Sequence, residues 1–239
     1  MRSVILHQII IFLCLLSAFA FFSSSGVKQA GAQDVSEARE GLPGRRVGGG
    51  TRSDMFISEM PLIALVPDNN QGLTASATPT FFFYVPKTQQ PQLVEFVLVD
   101  ENERQIYETQ FTTDGNSGVV GITIPENEPT KTLEVGKTYR WYFAMIPDRE
   151  NRRSDIYVTG SIKRVALNQD LESKLKQGAS LDLADKYQIN NLWYDAMATV
   201  AELRRSRPTD TAVVTKWQQL LNSVNLQKLS QEPLVTYNK

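Results

Sequence analysis

The sequence predicts a mainly β protein: an immunoglobulin- or fibronectin-like β-sandwich of about seven strands with a C-terminal α-helical appendage. Three observations predict this fold. Residues 133–145 alternate apolar and polar side chains with the period of a strand. Short runs of similar character, separated by turn residues, fill residues 56–165. From Leu167 onward the apolar period becomes that of helices.

The alternating stretch predicts a strand with one face in the core. The side chains predicted to point inward are Tyr139, Trp141, Phe143 and Met145, and those on the other face are Arg140, Tyr142 and Ala144. Leu133, Gly136 and Tyr139 also have the spacing of a tyrosine corner, in which the phenol hydroxyl bonds backbone a few residues upstream. This motif favours the sandwich.

Six further runs complete the predicted sandwich, each of ordinary strand length. They are residues 62–66, 80–85, 93–99, 105–112, 119–124 and 156–165. Residues 68–72 contain aspartate, asparagine and glycine, and we expect a turn there.

Residues 166–232 are predicted to form a helical hairpin followed by a third helix, and residues 233–239 a tail. Asn190 and Asn191 interrupt the helical pattern, and asparagine tolerates the left-handed conformation that a reversal needs. Pro208 ends the second helix, and Asp210 is placed to cap the third.

Residues 1–32 have the layout of a secretory signal peptide. Arg2 precedes an apolar run over residues 4–22, and residues 30–32 read Ala-Gly-Ala, as in a cleavage site. We therefore expect a periplasmic or secreted protein that begins at Gln33. The alternative is an uncleaved membrane anchor, because the run is about long enough to span a bilayer.

The histidine and cysteine content limits the kinds of catalysis and metal binding that the chain can perform. The chain has one histidine, His7, and one cysteine, Cys14, and both lie in the predicted signal peptide. The mature chain then lacks the residues for Ser-His-Asp or Cys-His catalysis and for zinc binding. We expect no catalytic residues, no metal and no cofactor. The net charge of −1 gives no indication of nucleic-acid binding.

Residues 33–55 are rich in glycine, arginine and acids, which predicts a flexible lead-in. Within it, residues 45–52 place arginines around three glycines, including Arg46 and Arg52. A functional interpretation is a cradle of backbone amides for an anion or a partner. The segment lacks the Lys-Ser/Thr pair of a phosphate loop and follows no strand.

Two groups of acids are candidate carboxylate sites. Asp148, Glu150 and Asp155 share a loop, and Asp100 lies at a hairpin tip with two glutamates. Such pairs serve glycosidases or bind calcium. The arginines interleaved with the first group favour a solvated loop, and the second group is typical of a turn.

The aromatic side chains are the main candidates for partner binding. Alternation sends about half of those in the strands into the core. The possible partner-binding aromatics are Phe82, Tyr84, Tyr142, Trp193 and Trp217. The alternative is that the first three pack beneath the helices and that both tryptophans belong to helix-face core.

Four motifs together resemble one family. They are residues 46–52, 79–86, 136–143 and 192–196. The combination is similar to the cyanobacterial family called domain of unknown function 928, over about residues 42–232. The resemblance implies an exported protein from a cyanobacterium and assigns no activity. The residues after the triple glycine, Thr-Arg-Ser, depart from the expected pattern. Residues 183–208 also resemble a single tetratricopeptide repeat.

These observations lead to one functional expectation with two alternatives. We expect a non-catalytic exported interaction module that binds a protein partner in the cell envelope. A carbohydrate- or cell-wall-binding module that uses exposed aromatics is the alternative. A carboxylate-dependent hydrolase is third, because histidine and cysteine are missing from the mature chain.

Overall fold

The structure is a computed structural model that describes residues 44–49, 55–126, 132–167, 172 and 178–237. Its described part is mainly β, with two sheets followed by C-terminal helices. The predictions for the signal peptide, for Arg52 and for most of the lead-in lie outside the described residues. No helix in the described ranges is long and apolar enough to cross a membrane.

The strands and helices follow in chain order. They are β1 (Ile63–Ala64), β2 (Gln71–Thr74), β3 (Thr80–Val85), β4 (Leu93–Val99), β5 (Gln105–Thr112), β6 (Gly118–Thr123), β7 (Thr138–Ile146), β8 (Ile156–Arg164), α1 (Leu181–Ile189), α2 (Trp193–Ser206), α3 (Thr211–Asn222) and β9 (Leu234–Val235). The small sheet has the order β1-β3-β6-β9, and the large sheet has the order β2-β8-β7-β4-β5. Neighbouring strands are antiparallel except for the parallel pairs β2–β8 and β6–β9.

The core lies where β3 of the small sheet meets β4 and β7 of the large sheet. Phe83 stacks on Phe143 with ring centroids 4.1 Å apart, and Phe81 lies 4.8 Å from Phe96. The four side chains of β7 that were predicted to point inward are all buried, Trp141 completely. Burial of several large rings at one contact is a major source of the fold's stability.

The tyrosine corner is confirmed. The backbone N–H of Glu134 donates a hydrogen bond of 2.9 Å to the Tyr139 hydroxyl. Gly136 has φ +86°, a conformation that glycine adopts without steric cost. The corner therefore fixes the loop that enters β7.

The C-terminal helices pack on the sheets and complete this core. Trp141 Nε1 donates to the Tyr194 hydroxyl of α2 at 2.8 Å, and Tyr194 packs edge-on against Phe81 at 5.3 Å. Helical and strand residues belong to one hydrophobic cluster. The predicted helix reversal is confirmed, with Asn191 at φ +58°. Asp210 caps α3 as expected, accepting from the N–H groups of Ala212 and Val213.

Two strands lie where no strand was predicted. The prediction made residues 68–72 a turn, but β2 begins at Gln71, and β9 lies in the predicted tail. A glycine at each place permits the close approach of a neighbouring side chain. A Cβ at Gly72 would lie 2.6 Å from the Tyr194 ring, and one at Gly118 would lie 2.6 Å from Val235. Both short strands depend on distant partners, which local sequence does not reveal.

Residues 44–49 are ordered, unlike the flexible segment predicted there. Arg45 pairs with Thr159 of β8, and Val47 pairs with Ile63 of β1. The segment therefore connects one strand of each sheet. Backbone pairing to two sheets outweighs the polar composition of the segment.

Candidate functional site

All five predicted partner-binding aromatics are buried. The exposed fractions are 3 % for Phe82, 1 % for Tyr84, 2 % for Tyr142, 8 % for Trp193 and 1 % for Trp217. Tyr142 packs with two valines of β4 on the face of the large sheet opposite the main core. The guanidinium of Arg204 lies 4.8 Å from the centre of the Trp217 ring. These five side chains therefore form no exposed aromatic face.

Arg46 fastens the N-terminal segment to two other parts of the fold. Its guanidinium donates to the carboxylate of Asp68 and to the backbone carbonyl of Val224. Asn225 donates to the other oxygen of Asp68 at 2.9 Å. Burial lowers the pKa of Arg46 from its usual value. Arg46 therefore has a structural role, and its guanidinium does not flank an open anion-binding site.

At least one acid in each of the two groups is bound by an arginine. Arg152 donates to Asp155 at 2.9 Å and to the buried carboxylate of Glu95 at 2.7 Å. At the hairpin tip, Arg104 pairs with Asp100 at 2.7 Å. No group of three or more acids, histidines or cysteines that could hold a metal ion occurs in the part of the chain that is described. These contacts favour the structural interpretation of both groups.

A cleft lies at the β2 edge of the large sheet, and we call it the edge cleft. It is an open cleft of about 630 Å³ between this edge and the turn that joins α1 to α2. Its floor and walls are made of Pro67, Asn69, Gln71, Gly72, Leu73, Thr138, Ser161, Lys163, Gln188, Asn191, Trp193, Ser223 and Val224. A cleft of this size is large enough for a few residues of peptide or a short sugar chain.

Trp193 is the one predicted aromatic that lines the edge cleft. It is 8 % exposed, and its Nε1 donates to the Leu65 carbonyl at 2.8 Å. The core therefore holds the ring, and only a small part of its surface is exposed to the edge cleft. Trp193 begins α2, so the turn at Asn191 sets its position.

The polar lining of the edge cleft consists of amides, hydroxyls and one ammonium group. Gln71 and Asn191 are exposed, and Gln188 accepts from Lys216 Nζ at 2.7 Å. Lys163 is exposed and makes no ion pair within the described residues. No acid is among the described lining residues, so the arrangement offers binding contacts but no general acid–base pair.

The backbone of β2 also faces this cleft. Ser161 N–H donates to the Asn70 carbonyl at 2.9 Å, and Val165 N–H donates to the Thr74 carbonyl at 2.8 Å. Since alternate residues of a parallel strand face its partner, Gly72 and Thr74 bond β8 while Gln71 and Leu73 face away. Sequence reasoning missed this edge because a four-residue segment beginning with glutamine and glycine has little strand signal.

A second cleft, of about 260 Å³, lies beside Asp195 of α2. Asp195 Oδ2 accepts from the backbone N–H of Ala75 at 3.1 Å. Burial raises the pKa of Asp195 to about 6, although hydrogen bonds from Ala75 and Thr74 oppose the rise. Burial, together with the charge of Asp195, raises the pKa of Tyr187 to about 12. The sequence motif at residues 192–196 contains Asp195 but did not indicate its buried position.

A family model described as Domain of Unknown Function (DUF928) matches residues 47–234, which is most of the 239-residue chain. None of the curated proteins matches the chain.

Proposed function

The chain belongs to the Domain of Unknown Function (DUF928) family, and we propose that it is a non-catalytic interaction module that binds a protein partner through the edge cleft. The observation that carries the proposal is the composition of this cleft. It combines an anchored tryptophan, exposed amides and an exposed lysine with an edge strand, and its described lining contains no acid. Such surfaces bind by shape and hydrogen bonding without proton transfer.

We also propose that the protein acts outside the cytoplasm. The proposal rests on the signal-like segment over residues 1–32. Mature protein that begins at Gln33 in a fractionated cell would support it, and a full-length chain in the cytosol would contradict it. A cyanobacterial source and a single tetratricopeptide repeat stay predictions as well.

At the level of fold, we propose that the two sheets form an immunoglobulin-type sandwich. The strand order supports this assignment, because β1, β3 and β6 correspond to strands A, B and E of that fold. The large sheet corresponds to an A′ strand followed by G, F, C and C′. The tyrosine corner at Tyr139 lies at the start of the strand that corresponds to F.

Carbohydrate binding is the second candidate function. Amide side chains next to a tryptophan ring are typical of sugar sites, since amides pair with hydroxyls and rings pack on apolar sugar faces. Trp193, Gln71 and Asn191 are placed for such contacts. The same cleft therefore supports both candidates, and binding experiments must separate them.

The test is retention of cell-envelope components by the immobilised full chain. We expect a discrete protein to be retained, and retention to fall at least tenfold in the double variant Gln71→Ala/Asn191→Gly. Glycine at position 191 keeps the left-handed backbone while it removes the amide. Gln105→Ala is the matched control, because Gln105 is also exposed and also begins an edge strand of the large sheet.

Two outcomes would contradict protein binding. If only insoluble envelope polysaccharide retains the chain and the double variant abolishes this retention, the carbohydrate function is correct. If the purified chain hydrolyses a glycan and the Asp155→Asn variant does not, the third alternative is correct.

A further inference from the structure

The described sheets have four edge strands, and they differ in how they are protected. The edge of β1 is paired with Val47, and β9 has only two residues. β5 carries Glu108, whose carboxylate accepts from Gln105 at 3.0 Å. β2 reads Gln-Gly-Leu-Thr, without a charge, and its first three residues line the edge cleft. Of these four, β2 is the edge best suited to accept another strand.

Three backbone groups of β2 are available for an added strand. The N–H of Gln71 is taken by the side chain of Asn69 at 3.1 Å. The carbonyl of Gln71 and both the N–H and carbonyl of Leu73 face away from β8 and make no hydrogen bond within the described residues. An extended peptide backbone supplies matching acceptor and donors at this spacing.

The charge of the edge cleft indicates which side chains a bound peptide should carry. Lys163 on β8 is adjacent to Leu73 in register and is the charged side chain among the described lining residues. It makes no ion pair in the described part of the chain. An acidic side chain on the peptide would pair with it, whereas a basic one would be repelled.

We propose that the edge cleft binds an extended peptide segment of a partner protein, which adds as a strand to the free edge of β2 and places an acidic side chain next to Lys163. This inference rests on the proposed function and names the form of the partner. Trp193 and Asn191 form the opposite wall and contact the peptide side chains. The backbone of β2 gives affinity, and Lys163 gives sequence preference.

The probe is a library of random 12-residue peptides displayed on phage and selected on the full chain. We expect the selected peptides to contain aspartate or glutamate and to bind roughly tenfold more weakly to Leu73→Pro, which lacks the N–H that faces the cleft. Proline is tolerated at such an edge position because this N–H takes no part in the ladder. Leu73→Ala is the matched control, because it shortens the side chain and keeps the N–H.

Charge reversal tests the second part of the proposal. Lys163→Glu should weaken the binding of the acidic peptides at least tenfold and strengthen the binding of lysine-containing analogues. The exposed Lys228→Glu should change the binding of neither.

Amide hydrogen exchange of the wild-type chain is an independent measurement that needs no variant. The Leu73 N–H should exchange fast in the free chain and at least tenfold more slowly with peptide, while Gly72 and Thr74, bonded to β8, change little.

The outcomes separate this inference from the proposed function. Peptides that bind equally to wild type and Leu73→Pro, with unchanged exchange at Leu73 but weaker binding to Gln71→Ala, would overturn strand addition and leave protein binding in the cleft intact. Failure of the selection to enrich any peptide would also overturn strand addition. Retention of polysaccharide alone would overturn both.

Discussion

At the scale of residues, a few polar side chains join segments that are far apart in the chain. Arg46 connects the N-terminal segment to Asp68 and to the carbonyl of Val224. Asp195 connects α2 to the chain that follows β2, by accepting from the Ala75 N–H. The contacts of Arg46 with Val224 and of Asp195 with Ala75 are partly buried, so removing one partner leaves an unpaired polar group, which costs more than the bond itself contributes. These positions are therefore sensitive to pH or substitution.

Asp195 predicts a specific pH dependence of stability. Its pKa is raised to about 6 in the folded chain, above the usual value of 3.8. The folded state therefore binds the proton more tightly than the unfolded state does. The free energy of unfolding should fall as pH rises from about 4 to about 7, by at most roughly 3 kcal/mol from this group.

Urea denaturation at a series of pH values measures this dependence. The variant Asp195→Asn should lose this part of the slope, because the amide does not titrate. Glu202→Gln, an exposed acid on the same helix, is the matched control and should keep the wild-type profile. An Asp195→Asn profile as steep as that of wild type would show that Asp195 is not a buried acid.

At the scale of elements, the strands marked by alternation or by an apolar run between turn residues could be predicted, and the short strands without these signals could not. β3, β4 and β5 have the predicted bounds, and β7 has the predicted inward face. β2 and β9 are short and form by parallel pairing with strands distant in sequence. Likewise, alternation identified Tyr142 as facing away from the main core. It did not show that this second face is buried too, since burial depends on tertiary packing.

The contact between α2 and the large sheet predicts how loss of the Tyr194 hydroxyl changes the free energy of unfolding. Tyr194→Phe removes the oxygen that accepts from Trp141 Nε1 at 2.8 Å, and it leaves that N–H buried and unpaired. The variant should lose about 1–3 kcal/mol of unfolding free energy in chemical denaturation. Tyr237→Phe, whose hydroxyl makes a long 3.4 Å bond near the surface, should lose less than about 0.5 kcal/mol. Equal losses would contradict the proposed role of Tyr194 in joining helix to sheet.

At the scale of the whole molecule, both sheets and the helices share one core, and the edge cleft lies where they meet. The sequence predicted both parts but treated the helices as an appendage, because helical period says nothing about which surface a helix covers. The location of the cleft follows from this packing. The α1–α2 turn and the edge of β2 are far apart in the chain and form opposite walls.

Site-specific photo-cross-linking in intact cells tests the central claim most directly. A photoreactive amino acid replaces Gln71 at the edge cleft, or Gln105 on the opposite edge of the large sheet, and both positions are exposed. Cross-linked products are then identified by mass spectrometry. If the edge cleft binds a protein, position 71 should give one discrete cross-linked protein, attached through an extended acidic segment, and position 105 should give none. The same products from both positions, or a partner that cross-links only at 105, would contradict it.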